Sequence, residues 1–241
     1  RRRMLIGASA LAASGAVAVF IPARPASARI FETGKGETRL IPLEDGSTVT
    51  LNTASRIAVT IDNERRTAQL LEGEALFKVA AGGKVPFTVE ADDTSVRATQ
   101  ATFAVCRLEQ SPVRVEVCEG NVEIERATFL AGGKRVLRAN TQAFMEADGG
   151  VVERAVAPQA LERELAWQEG MLSFEDTPLS EAAEEVARYS DRKILIADRG
   201  VGSETVTGLF AANNPEGFAR AVALGLNLKV RSAPGGIALA R

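Results

Sequence analysis

Histidine is absent from all 241 residues. With it go the usual general base near neutral pH, the commonest metal ligand and any histidine-based triad. Only two cysteines occur, Cys106 and Cys118, too few to build a zinc site alone. An enzyme on this chain would have to work with carboxylates, serine or lysine, so no catalysis, cofactor or metal is expected. Aromatic residues are scarce at 5%, whereas 21 glycines suit many short strands and turns. Four of the 29 basic residues, Arg1, Arg2, Arg3 and Arg24, lie within residues 1–28, a stretch without any acid. The remainder faces 31 acidic residues, and this mildly acidic bulk argues against a nucleic-acid partner.

The longest uncharged run is Met4 to Ile21, rich in Ala, Val, Leu and Ile. As a helix it would span about 27 Å at ~1.5 Å per residue, close to the hydrocarbon thickness of a bilayer. Arg1-Arg2-Arg3 on one flank places the N-terminal side in the cytoplasm, and Pro22 and Pro25 end the helix. The run fits a single-span anchor. It also fits an export signal, with Arg-Arg-x-Leu at its start and the small residues Ala26-Ser27-Ala28 at its end. A buried core helix is the third reading. Either membrane reading puts the bulk of the chain outside the cytoplasm, in the periplasm. The chain begins at Arg1 rather than Met, and upstream sequence is expected.

Residues 29–152 read as an all-β body. Ile41 to Leu51 carries Asp45-Gly46 between alternating residues, a strong hairpin signal because Gly46 accepts positive φ without penalty. Val49 and Leu51 point one way and Thr48 and Thr50 the other. Glu72-Gly73 and Glu119-Gly120 sit in similar apolar surroundings and are expected to be strand–turn–strand corners. Strands at such short intervals imply a sandwich, a barrel or a β-solenoid, and a solenoid-like stack ranks slightly above a sandwich. Cys106 and Cys118 would lie diagonal rather than opposite across the turn at 109–112, which favours two small apolar residues over a disulfide. Glu72, Glu74, Glu116, Glu119 and Glu123 read as solvated strand faces. Arg65-Arg66 reads as a charged turn, and Gly132-Gly133-Lys134 lacks the rest of a P-loop.

Residues 153–165 read as a linker, helical in part, and residues 166–241 as a small α+β module. A strand over Gly170 to Phe174 precedes an amphipathic helix capped by Asp176 or Thr177, with Pro178 in its first turn. Asn214-Pro215 starts a second helix, and the chain closes on a hairpin around Ala233-Pro234-Gly235. The order is β-α-β, β-α-β-β, an open sheet whose free edges invite pairing with another chain.

Several segments resemble the FecR-type transmembrane regulators. These are Leu43-x-Asp-Gly-Ser-x-Val-x-Leu-Asn52, Leu71-x-Gly-Glu-Ala75-x-Phe77-x-Val79, Pro86-Phe87-x-Val89 and Val117-x-x-Gly120-x-Val122. Trp167-x-x-Gly170-x-Leu172-x-Phe174-x-Asp176-x-Pro178-Leu179, Tyr189 and Val206-x-Gly208-x-Phe210 are similar to that family's last subdomain. That subdomain looks like the short N-terminal module of secretins and TonB-dependent transducers. The resemblance runs from about Gly36 to Arg231. One departure is Ala101-Thr102 where the family usually shows Gly-Thr.

The resemblance implies a single-pass inner-membrane signal transducer with a periplasmic bulk. It would receive a signal from the signalling domain of a TonB-dependent outer-membrane receptor. It would then regulate an extracytoplasmic-function (ECF) sigma factor controlling iron or siderophore uptake, through a cytoplasmic domain upstream of Arg1. The implied partner-binding residues are Leu172, Phe174, Val206, Gly208 and Phe210. By themselves Phe174, Val206 and Phe210 read as core, which would leave the contacts to their outward neighbours. The alternative is an exported envelope or carbohydrate-binding β protein.

Overall fold

The alternation of apolar and polar residues becomes two facing sheets in the computed structural model, which describes residues 28–109, 111–126, 134–196 and 199–241. The membrane span or export signal expected within residues 1–27 lies outside the described residues. Among the described residues no helix is long and apolar enough to cross a membrane.

The strands of the body are β1 (Arg29–Glu32), β2 (Arg39–Pro42), β3 (Thr48–Leu51), β4 (Arg56–Ile61), β5 (Arg66–Val79) and β6 (Phe87–Ala91). They continue as β7 (Thr94–Ala98), β8 (Ala101–Arg107), β9 (Val113–Arg126), β10 (Lys134–Arg138), β11 (Thr141–Met145) and β12 (Val151–Ala155). The first sheet runs β1-β4-β5-β6-β7-β9-β10. The second runs β2-β3-β5-β8-β9-β11-β12. Strands β5 and β9 belong to both. Every neighbouring pair is antiparallel except β5–β6, so the body is a sandwich and not the parallel stack of a solenoid.

The core lies between the sheets. Ile57, Leu70, Phe87, Val89 and Ile124 meet Val49, Leu51, Phe77, Phe103 and Val115 there. Phe77 stacks on Phe103 with ring centroids 5.4 Å apart.

The glycine corners divide into two kinds. Asp45-Gly46 is the expected turn: Gly46 has φ +83°, its N–H donates to Leu43 O at 3.1 Å, and Leu43 N–H donates to Ser47 O at 2.9 Å. Gly73 and Gly120 are not turns. Each sits inside an unbroken strand, at φ +88° and +76°, where the chain bends out of one sheet and into the other. At Gly46 the flanking segments pair with each other. At Gly73 one flank pairs with β4 and the other with β3 and β8. A Cβ on Gly73 would stand 2.6 Å from Ser55 Cα, and one on Gly120 2.6 Å from Gln100 O, so the bends admit only glycine.

Arg66 is a buried strut, not half of a charged turn. Its Nε donates to Asp45 at 2.7 Å and its guanidinium nitrogens to the carbonyls of Val85 and Ala80.

The C-terminal module follows without a free linker. Strand β12 continues to Ala155, and α1 (Pro158–Glu164) packs against β9. After a 3-10 turn over Ala166–Glu169 come β13 (Met171–Pro178), α2 (Leu179–Tyr189), β14 (Lys193–Ile196) and α3 (Arg199–Gly202). The chain ends with β15 (Thr205–Ala211), α4 (Pro215–Leu226), β16 (Lys229–Ala233) and β17 (Gly236–Ala240). The single open sheet expected here is two: an antiparallel β13–β15 pair and a β14-β17-β16 sheet with β14 parallel to β17.

Asn214 caps α4 as expected, accepting from Gly217 N–H with Pro215 in the first turn. The start of α2 differs. Pro178 itself occupies the cap position, no side chain caps the helix, and Asp176 lies in a bulge of β13 at φ +49°. The strand pairing of Thr177 and Pro178 with β15 holds those residues extended, so neither Asp176 nor Thr177 reaches the helix.

Candidate functional site

The module covers the outward face of the second sheet. Leu76 of β5 and Ala104 of β8 point away from the sandwich core into a second core with Leu165, Trp167, Leu172, Leu179 and Val186. Glu74, Glu116 and Gln142 are outward-facing residues of the same sheet. The module buries all three, leaving them 2%, 1% and 0% exposed. The expectation of solvated strand faces therefore fails for Glu74 and Glu116. Burying a carboxylate costs several kcal/mol unless donors surround it, and the two residues meet that demand differently.

Glu74 is fully supplied. One oxygen accepts from Asn52 Nδ2 and from an Arg188 guanidinium nitrogen, both at 2.9 Å, and the other lies 3.4 Å from Arg114. Asn52 Nδ2 also donates to the Tyr189 hydroxyl at 2.8 Å, and Thr53 Oγ1 donates to Arg188 O at 3.0 Å. The end of α2 is thereby tied to the β3–β4 connection. Burial alone would raise the Glu74 pKa, but Arg188 and Arg114 outweigh it and hold the carboxyl below its ordinary value. Burial also pushes the Tyr189 hydroxyl up, so it stays neutral. Gly36 completes the contact, since a Cβ there would stand 2.7 Å from Tyr189 O.

Glu116 is supplied on one side. Its Oε1 lies 2.8 Å from Arg114 Nε and accepts from Gln142 Nε2 at 2.6 Å, while its buried Oε2 has no donor among the described residues. Gln142 Nε2 also donates to Glu164 Oε2 at 2.7 Å, and Gln142 Oε1 accepts from Arg154 Nε at 2.5 Å. Burial, only partly offset by Arg114, pushes the Glu116 carboxyl up to about 8, and Glu164 pushes it in the same direction. A cavity of about 140 Å³ adjoins this cluster, lined by Glu74, Arg114, Glu164, Trp167, Phe174 and Arg188.

The five sequence-selected partner residues share the inward face of the β13–β15 pair. Leu172 stands opposite Phe210, Phe174 opposite Gly208, and Val206 opposite Thr177. Leu172, Phe174 and Val206 are buried, and Gly208 and Phe210 are half-buried. The Phe174, Phe210 and Phe218 rings meet at 5.0–5.9 Å. Gly208 leaves room for that cluster, because a Cβ there would stand 3.1 Å from the Phe210 ring. Their outward neighbours include Met171, Ser173 and Leu209, the last 59% exposed. These three line a groove of about 970 Å³ with Cys118, Leu161 and Leu165. Both cysteines are free thiols, and burial raises each to about 12. Cys106 pairs with Arg114, so Cys118 lies further along β9 than a disulfide allows.

Residues 29–123 match the sequence profile of a known family, FecR protein. No curated protein sequence matches the chain. Two crystal structures of a candidate anti-sigma factor from Parabacteroides distasonis ATCC 8503, at 2.50 and 1.65 Å resolution, superpose with a TM-score of 0.70 at 22% identity. They cover 89% and 88% of this chain and 99% of their own. At that identity they establish a shared fold that spans the sandwich and the module together.

Proposed function

We propose that the protein is a FecR-type, non-enzymatic sigma-factor regulator whose described residues form its sensing part. The family match over 29–123 carries the reading. The fold shared with a protein described as an anti-sigma factor supports it. In this reading residues 1–28 tether the chain to the inner membrane, and the sandwich and module lie in the periplasm. The module receives the signalling domain of a TonB-dependent outer-membrane receptor. An upstream cytoplasmic domain acts on an ECF sigma factor controlling iron or siderophore uptake.

The surface that suits such a partner is the β13–β15 pair. Each strand has an edge with no strand partner among the described residues, and an added strand gains main-chain hydrogen bonds there. Leu172, Phe174, Val206, Gly208 and Phe210 would act from beneath by shaping the pair, while Ser173 and Leu209 would touch the partner. Site-specific cross-linking from Leu209 in cells that carry the cognate receptor is expected to give an adduct with its signalling domain. No adduct, together with a freely soluble protein starting at Arg29, would overturn the reading in favour of an exported envelope or carbohydrate-binding β protein.

A further inference from the structure

Glu116 and Glu164 come from two separately cored parts of the chain, β9 of the sandwich and the last residue of α1. They converge on one nitrogen. Gln142 Nε2 lies 2.6 Å from an oxygen of the first and 2.7 Å from an oxygen of the second. An amide nitrogen carries two hydrogens, so one goes to each carboxyl and none remains. Arg154 holds the amide oxygen at 2.5 Å and fixes which end faces the acids. The other cations do not fill the gap. Arg114 meets Glu116 at Oε1 alone, Arg188 is committed to Glu74 and Glu185, Arg163 to Glu175, and Arg154 stands 3.9 Å from Glu164. Glu116 Oε2 is left buried without a donor among the described residues, while one amide nitrogen bridges its carboxyl to that of Glu164. Two ionised carboxylates bridged by one amide repel each other, and a proton on Glu116 relieves both that repulsion and its unsupplied oxygen.

We propose that Glu116 is protonated where the module is docked, and that the bridged Glu116–Gln142–Glu164 cluster is a pH-sensitive latch holding the C-terminal module against the sandwich. The groups facing Glu116 are Arg114 on its own strand, Glu74 on β5, Gln142 on β11 and Glu164 on α1. Cys106 on β8, with its thiol raised to about 12, stays neutral throughout.

The sign follows from proton counting. Docked, Glu116 keeps its proton up to about pH 8. Released into water, it ionises near the ordinary glutamate value of 4.5. Between those limits the docked state holds a proton that the undocked state lacks. Docking therefore weakens as pH rises through that window, by up to about tenfold per pH unit, and is level above it.

The only tryptophan, Trp167, is buried in the second core and reports on the contact directly. Acrylamide quenching of its emission in the full chain, followed from about pH 5.5 to about pH 9, is expected to rise several-fold. Glu116→Gln brings its own N–H donor to Glu164 and is expected to flatten the profile. Glu164→Gln serves the same purpose from the other side should the first variant not fold. A flat profile in the unsubstituted chain, or a rise that persists unchanged in both variants, overturns the latch. The latch concerns the junction alone, so its failure would leave the choice of partner untouched, and failure to cross-link a receptor would leave the latch untouched.

Discussion

The outward faces of the two sheets carry similar residues and meet opposite fates. On the first sheet Gln69, Glu90, Arg97, Glu123 and Glu125 stand in water or at its margin, and Arg97 reaches Glu125 at 3.1 Å and Glu123 at 4.0 Å. On the second sheet Glu74, Leu76, Ala104, Glu116 and Gln142 are sealed beneath the module. Strand β9 supplies glutamates to both faces: Glu116 below the module, Glu123 and Glu125 on the open side. The side chain is the same, so the difference comes from what covers it. A screened surface pair is worth little, whereas a buried carboxylate must be matched donor by donor.

The sharpest way to break this contrast is Arg188→Ala, which leaves Glu74 with Asn52 and a distant Arg114. A loss of about 3–5 kcal/mol in urea unfolding is expected. A loss below about 1 kcal/mol would mean that the covered face tolerates charge as the open one does. The same ion pair sets an acid limit. Glu74 has its pKa lowered in the folded chain, so its contribution is fully present above the ordinary carboxylate range and fades as pH falls through the folded value. Glu74→Gln should remove that limb from a plot of stability against pH. The Glu116 contribution runs the other way and fades as pH rises.

Next in size, Leu76→Ala should cost about 2–4 kcal/mol by opening a cavity in the second core, with increased quenching of Trp167. A change confined to the sandwich, with Trp167 unaffected, would argue against one continuous junction. Tyr189→Phe removes an acceptor from Asn52 Nδ2, which keeps its bond to Glu74, and should cost about 0.5–1.5 kcal/mol in thermal unfolding. Smallest of all, Arg97→Ala on the open sheet should stay within about 1 kcal/mol and lose what effect it has in high salt.

What could be read from the sequence was local. Asp45-Gly46 carries its own turn chemistry, and Asn214-Pro215 its own cap, so both were visible without any knowledge of the fold. Glu72-Gly73 and Glu119-Gly120 look the same as Asp45-Gly46 over a few residues. Whether a glycine turns a hairpin or bends a strand depends on which distant segments the two flanks pair with. The same limit hid Glu74 and Glu116, whose burial is imposed by residues far along the chain. One signal did point there. Phe103-Ala104-Val105-Cys106 has no polar residue on either face, and Leu76 and Cys118 are apolar where alternation calls for a polar side chain. Such runs mark a sheet covered on both sides. The five residues chosen as partner contacts face the module's own interior, because spacing of two in a strand selects a face without saying which face is wet.

Strands β5 and β9 thread both layers of the sandwich, bending at Gly73 and Gly120. Main chain therefore runs without a break from beneath the module to the opposite layer, where β5 is bonded edge to edge to β4, and β4 to β1, whose first residue is Arg29. Tension travels along covalent bonds and extended backbone far more stiffly than across side-chain contacts. A tug on the module thus has a taut line to Arg29 on the opposite layer, and the two glycines are its pulleys.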